Sequence, residues 1–262
     1  VASPKPVVVL LHGITSSGRA WSPLVGELSR HFEVRTPTAI GHRGGRPPGP
    51  QVTLTDIVDD AEKCLDDEGL DRPILVGHSL GGYTAIELAR RGRASAAIAI
   101  SPAGFWEIGD GTALRVMHGV RRSVRIARAG APLLKAVVST ATGRRYWMRA
   151  AVRNPESLSA HEARAVIEDQ AGCVLTRGLM IADHEIVGEL DPLPCPMTVA
   201  WAEHDEVLPM ATYARTVRAR LPQAQFVVLP GVGHAAMVDD PELVIGTILG
   251  AYFGRDAVEN HQ

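Results

Sequence analysis

The chain has 262 residues, 45% of them hydrophobic and 21% charged, enough for one large α/β domain, or two small ones, around a sizeable core. Its formal net charge of −2 gives no bias toward nucleic acid or a lipid surface, and no apolar run approaches the roughly 20 residues of a membrane helix. Cys64, Cys173 and Cys195 are odd in number and far apart. They suit a reducing compartment, and so the cytoplasm, better than a disulfide framework, and they form no metal-spaced pair. The chain begins at Val1, and the residues that follow show no basic region leading into an apolar stretch, so no secretory signal is expected there.

In chain order, a continuous apolar run at 7–11 reads as a buried strand and is followed by Leu11-His12-Gly13-Ile14. A helical stretch at 21–30 and a weaker strand at 33–36 precede a loop rich in Gly and Pro at 43–50. A helix is expected over 54–68, where Ile57, Val58, Ala61 and Leu65 recur at a 3.6-residue period opposite Asp59, Asp60, Glu62 and Lys63. Then come a strand at 74–76, a helix at 80–91 and a strand at 96–100. From 103 to 193 helical patterns run without a convincing strand, closed by Asp191-Pro192-Leu193-Pro194. A strand at 197–200, a helix at 210–221, a strand at 226–229 and a helix at 241–253 complete the chain. Strands that are apolar throughout, rather than alternating, belong to a parallel sheet covered on both faces. The expectation is therefore a doubly wound α/β sheet of about six mostly parallel strands, with ligands bound at their carboxyl ends. The core would comprise 1–102 and 194–262, with 103–193 an inserted helical cap.

Gly77-His78-Ser79-Leu80-Gly81-Gly82 stands between the strand at 74–76 and the helix at 80–91. A sharp strand-to-helix turn lifts a Ser hydroxyl clear of the sheet. Gly is needed two residues either side, where strand and helix cross closely. The helix N-terminus adds partial positive charge where an oxyanion would develop. A nucleophilic Ser needs a base and the base an orienting acid, expected in the order Ser, acid, His. After the strand at 197–200 comes Glu203-His204-Asp205-Glu206-Val207-Leu208-Pro209. After the strand at 226–229 comes Gly231-Val232-Gly233-His234. Ser79, Asp205 and His234 are thus the candidate catalytic residues, with Glu203 and Glu206 as rival acids.

These motifs resemble the α/β-hydrolase fold superfamily, in its lidded serine esterase-like branch. Asp205 with Pro209, Gly233-His234 with Pro241-Glu242, and His12-Gly13 after the first strand carry the resemblance. It implies an oxyanion hole built from the backbone N–H groups of Leu80 and Ile14. Two departures stand out. Only six residues precede Val7, where the family usually has further strands, and Arg43 replaces a small residue in Gly41-His42-Arg43-Gly44.

His78 and Val207 are candidate pocket residues, His78 being equally readable as structural. Trp106 reads either as pocket lining or as core. The histidines at 31, 42, 118, 161, 184 and 261 form no ligand cluster, so neither a metal nor another cofactor is expected. Between Arg115 and Arg153 lie ten Lys or Arg and no Asp or Glu. Arg115, His118, Arg122, Arg125 and Arg128 share one helix face, opposite Val116, Val120 and Val124. That face is either a solvated surface or an attractor for an anionic substrate or carrier. The expected reaction is hydrolysis of a carboxylic ester in a small acyl substrate, with thioester or C–C bond hydrolysis and acyl transfer as near alternatives. A lyase or a ligand-sensing receptor is the alternative from outside that class. The substrate's identity and the oligomeric state are not legible.

Overall fold

The computed structural model describes residues 4–109, 111–179 and 185–254; His184 and His261 lie outside them. Six parallel strands, β1 Val7–Leu11, β2 Glu33–Arg35, β3 Ile74–His78, β4 Ala96–Ile100, β5 Met197–Ala202 and β6 Gln225–Leu229, form one sheet in the order β2-β1-β3-β4-β5-β6. The helices are α1 Ser22–Leu28, α2 Leu54–Asp67, α3 Leu80–Arg90, α4 Thr112–Val138, α5 Ala141–Met148, α6 Ala160–Gly172, α7 Leu175–Gly178, α8 Met210–Arg220, α9 Ala236–Asp239 and α10 Pro241–Phe253.

Successive strand residues point to opposite faces, and both faces are packed. Val8, Leu10, Ile74, Val76, Ile98 and Ile100 meet Trp21, Leu24 and Leu28 around α1, and Val244 and Ile248 from α10. Val9, Leu11, Leu75, Ala97, Val199 and Trp201 meet Ile57 and Val58 from α2, Ile86 and Leu88 from α3, and Tyr213 and Val217 from α8. This double burial is why the strands read as unbroken apolar runs. The chain order switches direction between β1 and β3, which opens a crevice at their carboxyl ends.

Between β4 and β5 the described residues contribute helices α4 to α7, in the segment expected to form a cap. Helix α4 has one non-helical residue, Gly130, just before Pro132. Proline supplies no N–H for the carbonyl four residues back, and glycine bends readily, so the two together account for the kink. The inner side of α4 follows the expected pattern, with Val124 buried and Val116 and Val120 half-buried. A third core, Val138, Met148, Val152, Ala163 and Ile167, lies within the cap, and Ala235 and Val238 of the sheet domain pack against it.

Most boundaries shift by a residue or so and β5 runs two residues further, to Ala202; two other differences are larger or bear on the Ser79 turn. The stretch at 21–30 is a 3-10 turn, Gly18–Trp21, followed by α1, where Pro23 in the first turn sets the helical φ. Strand β3 continues through Gly77 and His78, which pair with Ala99 and Ile100, so the sheet runs directly into Ser79. Among the described residues no helix is long and apolar enough to cross a membrane.

Candidate active site

Ser79 lies between β3 and α3 with φ 54° and ψ −114°, a region that side-chain-bearing residues rarely occupy. Its N–H donates to the Ile100 carbonyl at 2.9 Å, and its own carbonyl accepts from Tyr83 and Ala103 N–H, both at 3.0 Å. The neighbouring glycines are needed for a more specific reason than tightness of turn. A Cβ on Gly77 would collide with the Gly81 carbonyl, and one on Gly81 with the carbonyls of Leu11 and His12. The exit of β1 is therefore wedged against the start of α3.

Asp205 and His234 meet across the exits of β5 and β6. Asp205 Oδ1 accepts from the N–H groups of Val207 at 2.9 Å and Leu208 at 2.6 Å, and its Oδ2 lies 2.7 Å from His234 Nδ1. Two amides thus aim the carboxylate at the ring. With Nδ1 engaged, Nε2 is the ring nitrogen left for proton exchange. The rival carboxylates are both exposed, and Glu203 is taken up by the Gly231 N–H at 2.9 Å.

The other buried histidines hold loops. His78 Nε2 donates to the His234 carbonyl at 2.8 Å, tying the Ser79 turn to the His234 loop. Burial, then the neighbouring His234, pushes its pKa well below the ordinary value, so its ring is neutral. His12 Nε2 accepts from the Ala39 N–H at 3.0 Å and its Nδ1 donates to the Gly13 carbonyl at 2.8 Å. Burial lowers its pKa to about 4. His42 stands edge-on to it at 4.8 Å and is lowered to about 3, by burial first and then by His12.

Leu80 is the first residue of α3, and its N–H is one of the helix-start donors that have no intrahelical acceptor. Half-buried Ile14 follows β1 in a loop whose next residue, Thr15, has φ 67°. Leu80 belongs to the same apolar cluster as Trp106 and the cap's Met117, against which Ile14, Val207, Val116 and Val120 pack. Trp106 is 5% exposed, embedded in that cluster. Val207 contributes its N–H to Asp205 as well as its apolar side chain.

Two cap-to-core ties escaped the sequence reading. Asp169 of α6 accepts from Ser17 Oγ at 2.6 Å and from the Arg19 guanidinium, close after Ile14 in the β1-exit loop. Asp239 of α9 accepts from Gly233 N–H at 2.8 Å, just before His234, and from the cap's Arg153 and Asn154 N–H at 2.9 and 2.8 Å. A contact between Ser17 and Asp169, 152 residues apart, has no local signature. Among the described residues no group of His, Cys, Asp and Glu is placed to hold a metal ion.

Comparison with known proteins agrees with this fold. The family model described as "Alpha/beta hydrolase family" matches residues 8–247. Epoxide hydrolase EphH of Mycobacterium tuberculosis is 32% identical over 199 residues, covering 71% of this chain and 88% of its own length. RutD of Shigella flexneri, provisionally named a carbamate hydrolase, is 29% identical over 242 residues, covering 90% and 87%. The solved structure of a thermophilic esterase from Thermogutta terrifontis is similar in fold, with a TM-score of 0.69, 24% identity, and 98% of this chain and 91% of that one covered. This chain belongs to the alpha/beta hydrolase family.

Proposed function

We propose that this hydrolase cleaves a carboxylic ester of a small substrate through an acyl-enzyme on Ser79. The observation that carries the reading is the buried His234–Asp205 pair at 2.7 Å, on the strand-exit edge that also bears the strained Ser79 turn. Ser79 Oγ attacks the acyl carbon while His234 Nε2 takes its proton, and Asp205 stabilises the imidazolium that forms. The Leu80 and Ile14 N–H groups hold the oxyanion. Its collapse breaks the bond to the leaving alcohol, which receives the proton from His234. Water, activated by the same imidazole, then releases the acid and restores Ser79. Placed beside the apolar cluster of Trp106, Met117 and Val207, the acyl group would be held by hydrophobic contact.

Carbamates and thioesters offer the same acyl carbon; an epoxide does not. The test is incubation with an active-site-directed phosphonate, followed by intact mass and peptide mapping, beside turnover of short-chain p-nitrophenyl esters. One adduct on Ser79, lost in Ser79→Ala together with ester turnover, is the expected result. No adduct and no ester turnover, with epoxide opening retained in Ser79→Ala, would overturn the proposal.

A further inference from the structure

The basic charge of the cap is not spread evenly. Between α4 and α7 lies a groove of about 670 Å³, lined among others by His118, Arg121, Arg122, Arg125, Arg128 and Arg177, with no Asp or Glu among the described residues of its wall. Several arginines of the sheet domain are arranged differently. Arg35, Arg46, Arg91 and Arg93 each pair with two carboxylates.

Two of the groove's guanidiniums are fixed without being neutralised. Arg121 donates Nε to the Thr176 carbonyl at 3.2 Å and Nη2 to the Leu179 carbonyl at 2.6 Å. Arg128 makes the matching pair to the carbonyls of Ala171, at 3.2 Å, and Cys173, at 2.7 Å. In both, neutral acceptors hold the Nε–Nη2 edge, so the guanidinium is oriented, and among the described residues no carboxylate pairs with it and no acceptor takes Nη1. Such pre-oriented forks lose little freedom on meeting an anion. Arg122, Arg125 and Arg177 are exposed along the same groove, and no carboxylate among the described residues pairs with them. Five guanidiniums in one concavity repel one another unless a multivalent anion lies among them.

We infer that this groove is a binding site for a small molecule bearing two or more phosphoryl groups. The volume is that of a small-molecule site rather than of a single oxyanion. The described lining has no aromatic ring other than His118, so it offers little of the stacking that single-stranded nucleic acid uses. The described lining includes none of Ser79, Leu80, Asp205 or His234, and the proposal does not depend on which acyl bond is cleaved at Ser79.

Calorimetric titration with inorganic pyrophosphate and tripolyphosphate, at about 50 mM and about 200 mM salt, tests the proposal. The expected result is saturable one-to-one binding, tightest for tripolyphosphate and weakened by salt. It should weaken about tenfold or more in the Arg122→Gln/Arg125→Gln variant, and less than about twofold in Arg149→Gln, an exposed cap arginine outside the groove. Arg177→Gln gives a second reading from the opposite wall, and thermal unfolding checks that each variant remains folded. Absent binding, or equal loss in the groove variants and Arg149→Gln, would overturn the site. So would binding only to vesicles of anionic lipid, or only to oligonucleotides.

Discussion

Ser79 and His12 show opposite uses of a costly arrangement. A side-chain-bearing residue at φ 54° costs on the order of 1–3 kcal/mol, held here by β3, β4 and α3. Glycine pays no Cβ penalty there. Ser79→Gly is therefore expected to resist urea better than Ser79→Ala by about 1 kcal/mol, with both inactive on p-nitrophenyl esters. Equal midpoints would show that the turn stores no strain. His12, lowered to about 4 by burial, is neutral in the folded protein but recovers the ordinary value near 6.5 when unfolded. Below that value the unfolded chain binds the extra proton. Stability from this group is thus fully present above about pH 6.5 and is lost as pH falls toward the folded value. Urea titrations at about pH 7.5 and 5 should show His12 contributing about 2 kcal/mol of that loss. His42, lowered to about 3, acts in the same direction. A His12→Asn variant should start less stable but lose less on acidification; an unchanged pH dependence would contradict the assignment.

At the scale of elements, the site is a set of strand exits tied sideways, and the ties are of two kinds. The strand-to-helix turn at Ser79 was legible because its glycines sit in the same short stretch of chain as the residues they serve. So were Asp205 and His234, each of which follows its own strand. Asp169 and Asp239 were not, because what they hold lies across the fold, and a carboxylate on a helix reads as surface charge until its donors are known. Asp239→Asn puts an amide NH2 among three N–H donors, and a small displacement of a catalytic group can cost up to about a hundredfold in rate. A fall of about tenfold or more in kcat, with KM changed less, is expected from steady-state kinetics on esters. Asp169→Asn should act similarly through the Ser17 loop. A pure KM effect in both would place these carboxylates in substrate binding instead.

Across the whole molecule, sheet and cap differ in how they were read. Two-sided burial imposes a pattern visible strand by strand, so the parallel sheet and its helical layers could be anticipated. The cap's internal packing could not, since Val138 and Ile167 look like any apolar positions on helices. The face shared by Arg122 and Arg125 was anticipated, but not that Arg121 and Arg177 join it in the groove while Arg145 pairs with Glu156. Fully buried Ile167 joins helices of the cap to Ala235 and Val238, next to His234. Truncating Ile167→Ala should cost about 2–5 kcal/mol in urea unfolding and speed hydrogen exchange in 138–167 before the sheet. Uniform loss of protection across sheet and cap would mean that the two unfold as one unit.

Asp239 carries one more implication, for recombination between relatives. Its acceptor atoms serve main-chain groups on both sides of the cap boundary, Gly233 on one and Arg153 and Asn154 on the other. A transplanted cap would therefore keep the histidine loop in register only if its own backbone offered two N–H groups at that place. The compatibility rule for exchanging caps is a matter of loop path rather than of side-chain identity at the junction.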